Sequence, residues 1–485
     1  MALIDGIIGF ISPKMQAKRT QYRLLNSVLE DQARKYNAAT SGRRTDSWTA
    51  GGTSQNAENE VALEKLRARS RDLARNNPYG RRAVKAIGTN TIGAGIRPKV
   101  QEKFKGSEAI FSAVWEDWAE SKECDFDGIH NFYGLQRLAM RTVAESGEAL
   151  VRKRKTGKYG LQLQVVEGDF IDSSRTFNLA DGGYIIQGVE FNNKGKKVAY
   201  WMFEQHPGDT FMIMPVSKRI PISEFAHIYF VERPGQVRGL PFGTSSMMRL
   251  FDFDEYEDAQ LMRQKVAACF AAFVTSSGDG MPVGSKQVDQ AGRVEPGIIE
   301  YLAPGQSVTF GNPPAAEGYD VYTKTIMRGI AMGYDTSYEV LTGDYSNVNF
   351  SSGRMGWIEF HRSVQEWQSQ MMIPMFCDTT TEWFINNLTI LGKLDSPIKL
   401  SWTPPRREMI DPVKEITAMS EAVRNGFKSW PEAIREMGYD PDQVLAEIEA
   451  MNKKWDAAGV KLDCDGRIDA MAKIQKALKG DSTAK

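Results

Sequence analysis

Along this chain of 485 residues the apolar positions change period several times, and each change predicts a change of element. Val61, Leu63, Leu66, Leu73, Val84 and Ile87 fall on helical faces, with a break at Pro78. "SEAIFSAVWEDWAESK" predicts another helix, with Ile110, Val114, Trp115 and Trp118 on one side. Between about Glu148 and Arg233 the runs shorten and alternate, as in "LQLQVVEGDFI" and "FAHIYFVE". They predict a mostly antiparallel β-rich unit with a hairpin turn at "NNKGK" (192–196). Helical spacing returns over 245–274 through Phe253, Tyr256, Met262, Val266, Cys269, Phe270 and Phe273. Residues 275–318 are Gly- and Pro-rich, with "GIIEYLA" and "SVTFG" as short strands, and a second helix covers Tyr319 to Met332. Further on, Trp357, Phe360, Val364, Trp367, Met371 and Met375 stand three or four apart on one helix that Pro374 is expected to kink. The C-terminal region reads as helices. Asp411-Pro412 and Asp440-Pro441 set a cap before a proline, and Ser429 with Glu432 and Asp440 with Gln443 have capping-box spacing.

Two stretches fit neither period. Residues 37–57 are rich in Gly, Ser, Thr and Asn and predict a linker or mobile arm. The second lies inside "LTGDYSNVNFSSGRMGWIEFHR" (341–362), where the residues from Gly343 to Gly353 are mostly turn formers between two helical patterns.

Composition adds little until the charges are placed. Hydrophobic content of 41 % and charged content of 25 % are ordinary, and the length predicts about three domains. The 61 basic residues balance 61 acidic ones, so no overall field draws the chain to nucleic acid. Residues 61–105, however, hold twelve Lys/Arg and three Asp/Glu, while "FDFDEYED" (251–258) holds five acids and no base. Two such surfaces suit a subunit contact. Cys124, Cys269, Cys377 and Cys464 are scattered without a CxxC pair, which argues against zinc and for a reducing compartment. No apolar run reaches the ~20 residues of a membrane span. "MALIDGIIGFISPKMQAKR" puts its apolar stretch before its positive charges, the reverse of a secretory signal. A soluble intracellular chain is expected, with an amphipathic first helix.

The catalytic motifs fail residue by residue. "GTNTIGAG" (88–95) has the frame of a phosphate-binding loop but ends in Ala94 and Gly95, where Lys and Ser/Thr are needed, so it reads as a helix end and turn. His130, His206, His227 and His361 show no ligand spacing and are expected as packed or surface residues. "DCDG" (463–466) lacks the flanking acids of a calcium loop. No enzyme, metal or cofactor is expected.

Several segments together resemble one family. They are "RARSRDLARNNPYGRRAVKAIGTNTIGAGIRP" (67–98), "GEALVRK" (147–153), "RPGQVRGLPFG" (233–243), "DEYEDAQLMRQKVAACFAAFV" (254–274), "EPGIIEYLAPGQSVTF" (295–310) and "YEVLTGDYSNVNFSSGRMGWIEFHR" (338–362). In order and content they resemble the lambda-type portal proteins of tailed bacteriophages. The resemblance implies a mixed α+β portal fold. An N-terminal arm (1–60) would lead into a wing of helices and a β-rich unit (61–244). Then would follow stem helix 1 (245–274), a small α/β clip (275–318), stem helix 2 (319–333) and a tunnel loop (334–353). A long kinked wing helix and return (354–405) and a helical crown and tail (406–485) would complete it. It further implies a ring, a dodecamer in the virion, at one capsid vertex, assembled in the host cytoplasm. Its partners would be double-stranded DNA in the channel, the terminase large subunit, the head–tail connector, and the major capsid and scaffold proteins, with no membrane. Asp344, Tyr345, Ser346, Asn347, Val348 and Asn349 would face the channel between hinges at Gly343 and Gly353. The competing readings are another head–tail or minor capsid protein, or a packaging enzyme.

Overall fold

A computed structural model describes residues 14, 18, 21–25, 43, 45–209, 216–268, 272–276, 306–310, 318–395, 398–405 and 409–460. The chain divides into two units, Met1–Ala57 and Glu58–Lys485. In the first, residues 21–25 are helical. Most of the N-terminal amphipathic stretch, "GIIEYLA", Cys269, Cys464 and "DCDG" lie outside the described residues.

The second unit starts on α1 (Gln55–Asn76), and Asn77 starts the next helix, α2 (Pro78–Ile92). The Asn77 side chain accepts from the amides of Tyr79 and Gly80, and Pro78 opens the first turn where it needs no N–H partner. Helix α2 ends where "GTNTIGAG" predicts a helix end. The Gly93 amide bonds Thr89 O and the Gly95 amide bonds Ile92 O, so neither amide is left to cradle a phosphate. Gly95 is required there by close approach, since a Cβ would lie 2.3 Å from the Tyr133 ring.

After β1 (Arg97–Val100) comes α3 (Glu108–Trp115), which continues into a π-helical turn, Glu116–Glu120. Trp115 and Trp118 are buried and Val114 packs partly buried against the core as predicted, whereas Ile110 is 51 % exposed and Phe111 takes its place on the core face. Val61, expected on a helical face, is also exposed. Helix α4 (Phe132–Ser146) packs on α2 and on β2 (Glu148–Arg154). With β3 (Gln162–Glu167) and β9 (Phe225–Tyr229), β2 forms an antiparallel sheet in the order β3-β2-β9. A second antiparallel sheet runs β4 (Phe177–Asn178), β5 (Tyr184–Ile186), β6 (Val189–Phe191), β7 (Lys197–Phe203) and β8 (Ser217–Pro221). The predicted hairpin turn joins β6 and β7, with Asn192 N bonding Lys196 O and Gly195 at φ 74°.

The helix expected over 245–274 is shorter: α5 runs Met247–Ala268, and β10 (Ala272–Ser276) pairs antiparallel with β11 (Gln306–Phe310). The aromatic and β-branched run Phe273-Val274-Thr275 suits a paired strand better than a helix end. Helix α6 (Tyr319–Gly333) returns beside α5, and the short α7 (Tyr338–Thr342) follows. A long helical run then comprises α8 (Phe350–Glu366), a π-helical segment Trp367–Asp378, and α9 (Thr379–Ile390). Pro374 lies inside the π segment, so the interruption expected there takes the form of a change in winding. Phe384 of α9 stacks on Trp118 at 4.1 Å, within a core that takes in α2, α4, the β2 sheet and the long run.

β12 (Leu400–Thr403) pairs with β1. The helices α10 (Pro412–Arg424), α11 (Trp430–Glu436) and α12 (Pro441–Ala458) start at the predicted caps, where Asp411, Ser429 and Asp440 each accept a backbone N–H. Gln443 does not complete the expected box, because its amide donates to Glu447 at 3.0 Å.

Candidate functional site: an exposed polar turn and a buried charge cluster

The non-helical part of the 343–353 stretch is shorter than its composition predicts. Gly343 closes α7 at φ 74°, and its amide bonds Glu339 O at 2.8 Å. Asp344 then organises the turn. Its Oδ1 accepts from the amide of Ser346 (3.0 Å) and the Ser346 hydroxyl (2.6 Å), and its Oδ2 accepts from the Tyr338 hydroxyl (3.0 Å). The bonds from Ser346 and then Tyr338 hold the half-buried Asp344 carboxyl down to about 2. Asn349 caps α8: it accepts from the Ser352 amide at 2.8 Å, and the Ser352 hydroxyl accepts from the Asn349 amide at 3.2 Å.

These bonds redistribute the predicted roles. Phe350 to Gly353 are helical, so Gly353 is no loop terminus; a Cβ there would meet Val348 Cγ1 at 2.8 Å. Asn349 is occupied as a cap, and Ser346 and Asp344 hold each other. Tyr345, 62 % exposed, and Asn347 remain as the side chains turned to solvent. From Gly343 to Gly353 there is no basic residue.

A second assembly, unforeseen in the sequence, surrounds Glu148 at the start of β2. Its Oε1 accepts from Arg67 and from Arg238, whose Nε and Nη2 lie 2.9 and 2.5 Å away. Its Oε2 accepts from His227 Nε2 and from the amide of Gly239, both at 3.0 Å. Arg238 also donates to the carbonyls of Gly168 (2.8 Å) and Gln187 (2.9 Å) and to the Ser173 hydroxyl (3.1 Å). The side chains of Arg67, Glu148, His227 and Arg238 are all buried. Burial alone would raise the Glu148 carboxyl, but Arg238, Arg67 and the His227 bond hold it well below the usual carboxylate range. Burial pushes His227 down in spite of Glu148. The bonding partners assign a neutral ring that donates from Nε2 to Glu148 and accepts at Nδ1 from the Tyr200 hydroxyl at 3.3 Å. Glycines make room for the cluster: a Cβ at Gly168 would lie 2.2 Å from Glu148 Oε1.

Nearby, Glu167, Asp169 and His206 place ligand-type atoms within 4.8 Å of one another. Arg71 lies among them, bonded to Asp169 and 2.8 Å from Glu167, so a cation already occupies this acidic corner. The two oppositely charged stretches touch within one chain, through neutral donors: Asn77 donates to Asp254 at 3.1 Å and Tyr79 to Glu257 at 3.2 Å. Much of the basic stretch is paired inside the chain as well, with Arg97 on Glu120 and Lys99 on Asp440 and Asp442.

The family model for phage portal proteins of the lambda family matches residues 41–368. The chain belongs to that family. A probable portal protein of Halomonas phage phiHAP-1 is 26 % identical over 461 residues, covering 88 % of this chain and 88 % of that protein. Portal protein B of Escherichia phage lambda is 22 % identical over 484 residues, covering 87 % and 89 %. Among solved structures, the neck of an empty GTA particle resembles the fold loosely, at TM-score 0.48 and 15 % identity over 83 % of this chain and 99 % of that one. In this portal protein the resembling segments "RARSRD", "GEALVRK" and "RPGQVRGLPFG" are widely separated in sequence. They supply Arg67, Glu148, and Arg238 with Gly239, which meet in one buried cluster.

Proposed function

We propose that this portal protein assembles as a ring at a single capsid vertex and that double-stranded DNA passes through its centre during packaging and ejection. The observation that carries this reading is the family match over residues 41–368. Terminase and then the head–tail connector would dock on the segment around β10 and β11. Capsid and scaffold proteins would meet the outer surface, and α10 to α12 would form the crown.

In this reading the turn from Gly343 to Asn349 lines the channel. A ring of lysines would release counterions, bind phosphates and resist sliding. This turn instead offers a tyrosine and an asparagine, sequence-blind partners that grip weakly, while Asp344 holds its shape. Deleting Asp344 to Val348, with Gly343 and the Asn349 cap kept, tests the assignment. Rings should still form, as seen by electron microscopy, and DNA packaging should fail. Asn347→Lys should slow packaging at low salt and recover as salt rises. Loss of rings on deletion would make the turn an assembly contact, and normal packaging by both variants would remove it from the channel.

A further inference from the structure

The three C-terminal helices have almost no core of their own. Helix α10 buries no residue, α11 buries Ala433 and α12 buries Pro441. Polar contacts tie them down: Lys99 of β1 bonds Asp440 at 2.7 Å and Asp442 at 2.8 Å, and Lys414 of α10 lies over the Phe350 ring at 5.4 Å. Between α10 and α11 on one side and α8 with the π segment on the other lies a groove of about 780 Å³. Trp357, Ile358, Trp402, Met409, Met419 and Met437 line it, and none of these side chains is fully buried. Lone exposed apolar residues are ordinary, but an apolar concavity of this size marks a binding surface.

The chain runs on past α12 through residues 461–485, which lie outside the described residues. In that sequence Ile468, Met471, Ile474 and Leu478 recur every three or four positions, and 467–479 holds four bases and one acid. A lone segment of this length gains little from its own backbone bonds and needs a surface for its apolar edge. The groove offers one, and it carries Glu415, Glu432 and Glu436 beside Arg354 and Arg435. The reach suffices. Helix α12 starts four residues after Met437, and its 18 residues extend about 27 Å. About eight extended residues cover that distance, which is the separation of Val460 from Ile468.

We propose that the segment 467–479 folds back into this groove of its own chain, with its apolar edge against Met409, Met419 and Met437. Methionines suit the task, because their unbranched side chains adapt to the shape that enters. The occupant is the same chain because a short tether holds the segment at an effective concentration of about millimolar, which a segment from elsewhere does not reach. The contact clamps α10 and α11 onto α8 and supplies the burial that those helices lack. It lies within one chain and does not depend on the ring reading above.

The test uses purified full-length protein with a photoreactive benzophenone side chain in place of Leu478 or, in a separate protein, of Lys473. Irradiation should join position 478 to Met409, Met419 or Met437, and the product should keep the mass of one chain on a denaturing gel. Position 473, on the polar side of the same spacing, should react severalfold less. In a second measurement, Ile474→Asp with Leu478→Asp should make the same three methionines oxidise severalfold faster in dilute peroxide, while far-UV circular dichroism stays close to that of the wild type. A product of doubled mass would assign the groove to the tail of a neighbouring copy and overturn the proposal. Cross-links that miss the groove, or equal oxidation of the three methionines in both proteins, would overturn it too, whether or not rings form.

Discussion

Glu148 and Asp344 are both carboxylates that collect several hydrogen bonds, and both are held ionised well below the usual range. The resemblance ends there. Glu148 draws its donors from Arg67, His227, Arg238 and Gly239, far apart in sequence, and all of these side chains are buried. Asp344 draws its donors from Ser346 and Tyr338, a few residues away, in a half-buried turn at the surface. The first carboxylate fixes where α1, the two sheets and the 233–239 segment stand relative to one another. The second fixes only the path of a turn. Water decides between them: a buried charge that loses its partner has nothing to replace it, whereas an exposed one is rehydrated.

The largest loss should therefore follow from removing one partner of the buried carboxylate. Arg238→Ala should lower stability by about 3–5 kcal/mol, since it leaves Glu148 short of compensation with no water to take the place of Arg238. Denaturant unfolding at neutral pH measures this, and a loss under about 1 kcal/mol would mean that the cluster is hydrated or redundant.

Acid should erode the buried side in two stages. The native His227 value is lowered, so the unfolded chain binds its proton first, and stability should begin to fall as pH drops below about 6.5. Glu148 is lowered too, so its contribution is complete above its unfolded value and is lost as pH falls below about 4.5 through its depressed native value. His227→Gln should remove the first stage and keep the second. Unfolding midpoints that stay level from pH 7 to about 5 in the wild type would contradict the neutral, buried assignment of His227.

The smallest effect belongs to the exposed side. Asp344→Asn should leave the global unfolding midpoint unchanged and show itself locally, as faster hydrogen exchange at the Ser346 amide that now bonds the carboxylate at 3.0 Å. A large global change from this substitution would mean that the turn carries weight beyond itself.

The exposed turn was far easier to read from sequence than the buried cluster, for the same reason that separates their energetics. Caps, turns and hairpins are settled by neighbours. Asp411, Ser429 and Asp440 start helices as their spacing predicts, and "NNKGK" turns β6 into β7. The Asn349–Ser352 box was available from spacing too, but the polar composition of 343–353 hid the first turn of α8 behind the look of a loop. At the end of α5, "VAACFAAFV" fits either period, and only pairing with β11 decides for a strand. Phe111, Trp115 and Trp118 stand four and three apart and share the buried face of α3 and the turn after it, a spacing that passes over Ile110. Nothing local announces that Arg67, Glu148, His227 and Arg238 meet. The available hint was a glutamate opening an apolar strand in "GEALVRK" and an arginine set among glycines in "RGLPFG", charges where a core was due.

The π segment Trp367–Asp378 also sets a rotational phase. At ~100° per residue, unbroken α winding from Phe360 would bring Phe384 roughly two-thirds of a turn off that side. Slower winding through the π residues lets Phe360 and Val364 before it, and Phe384 and Leu388 after it, enter one core. The segment thus works as a spacer in angle, in the way that a linker is a spacer in length. Loops tolerate the gain or loss of a residue because nothing downstream turns with them. Here a single deletion would swing α9 about its own axis and carry Phe384 off its stack on Trp118.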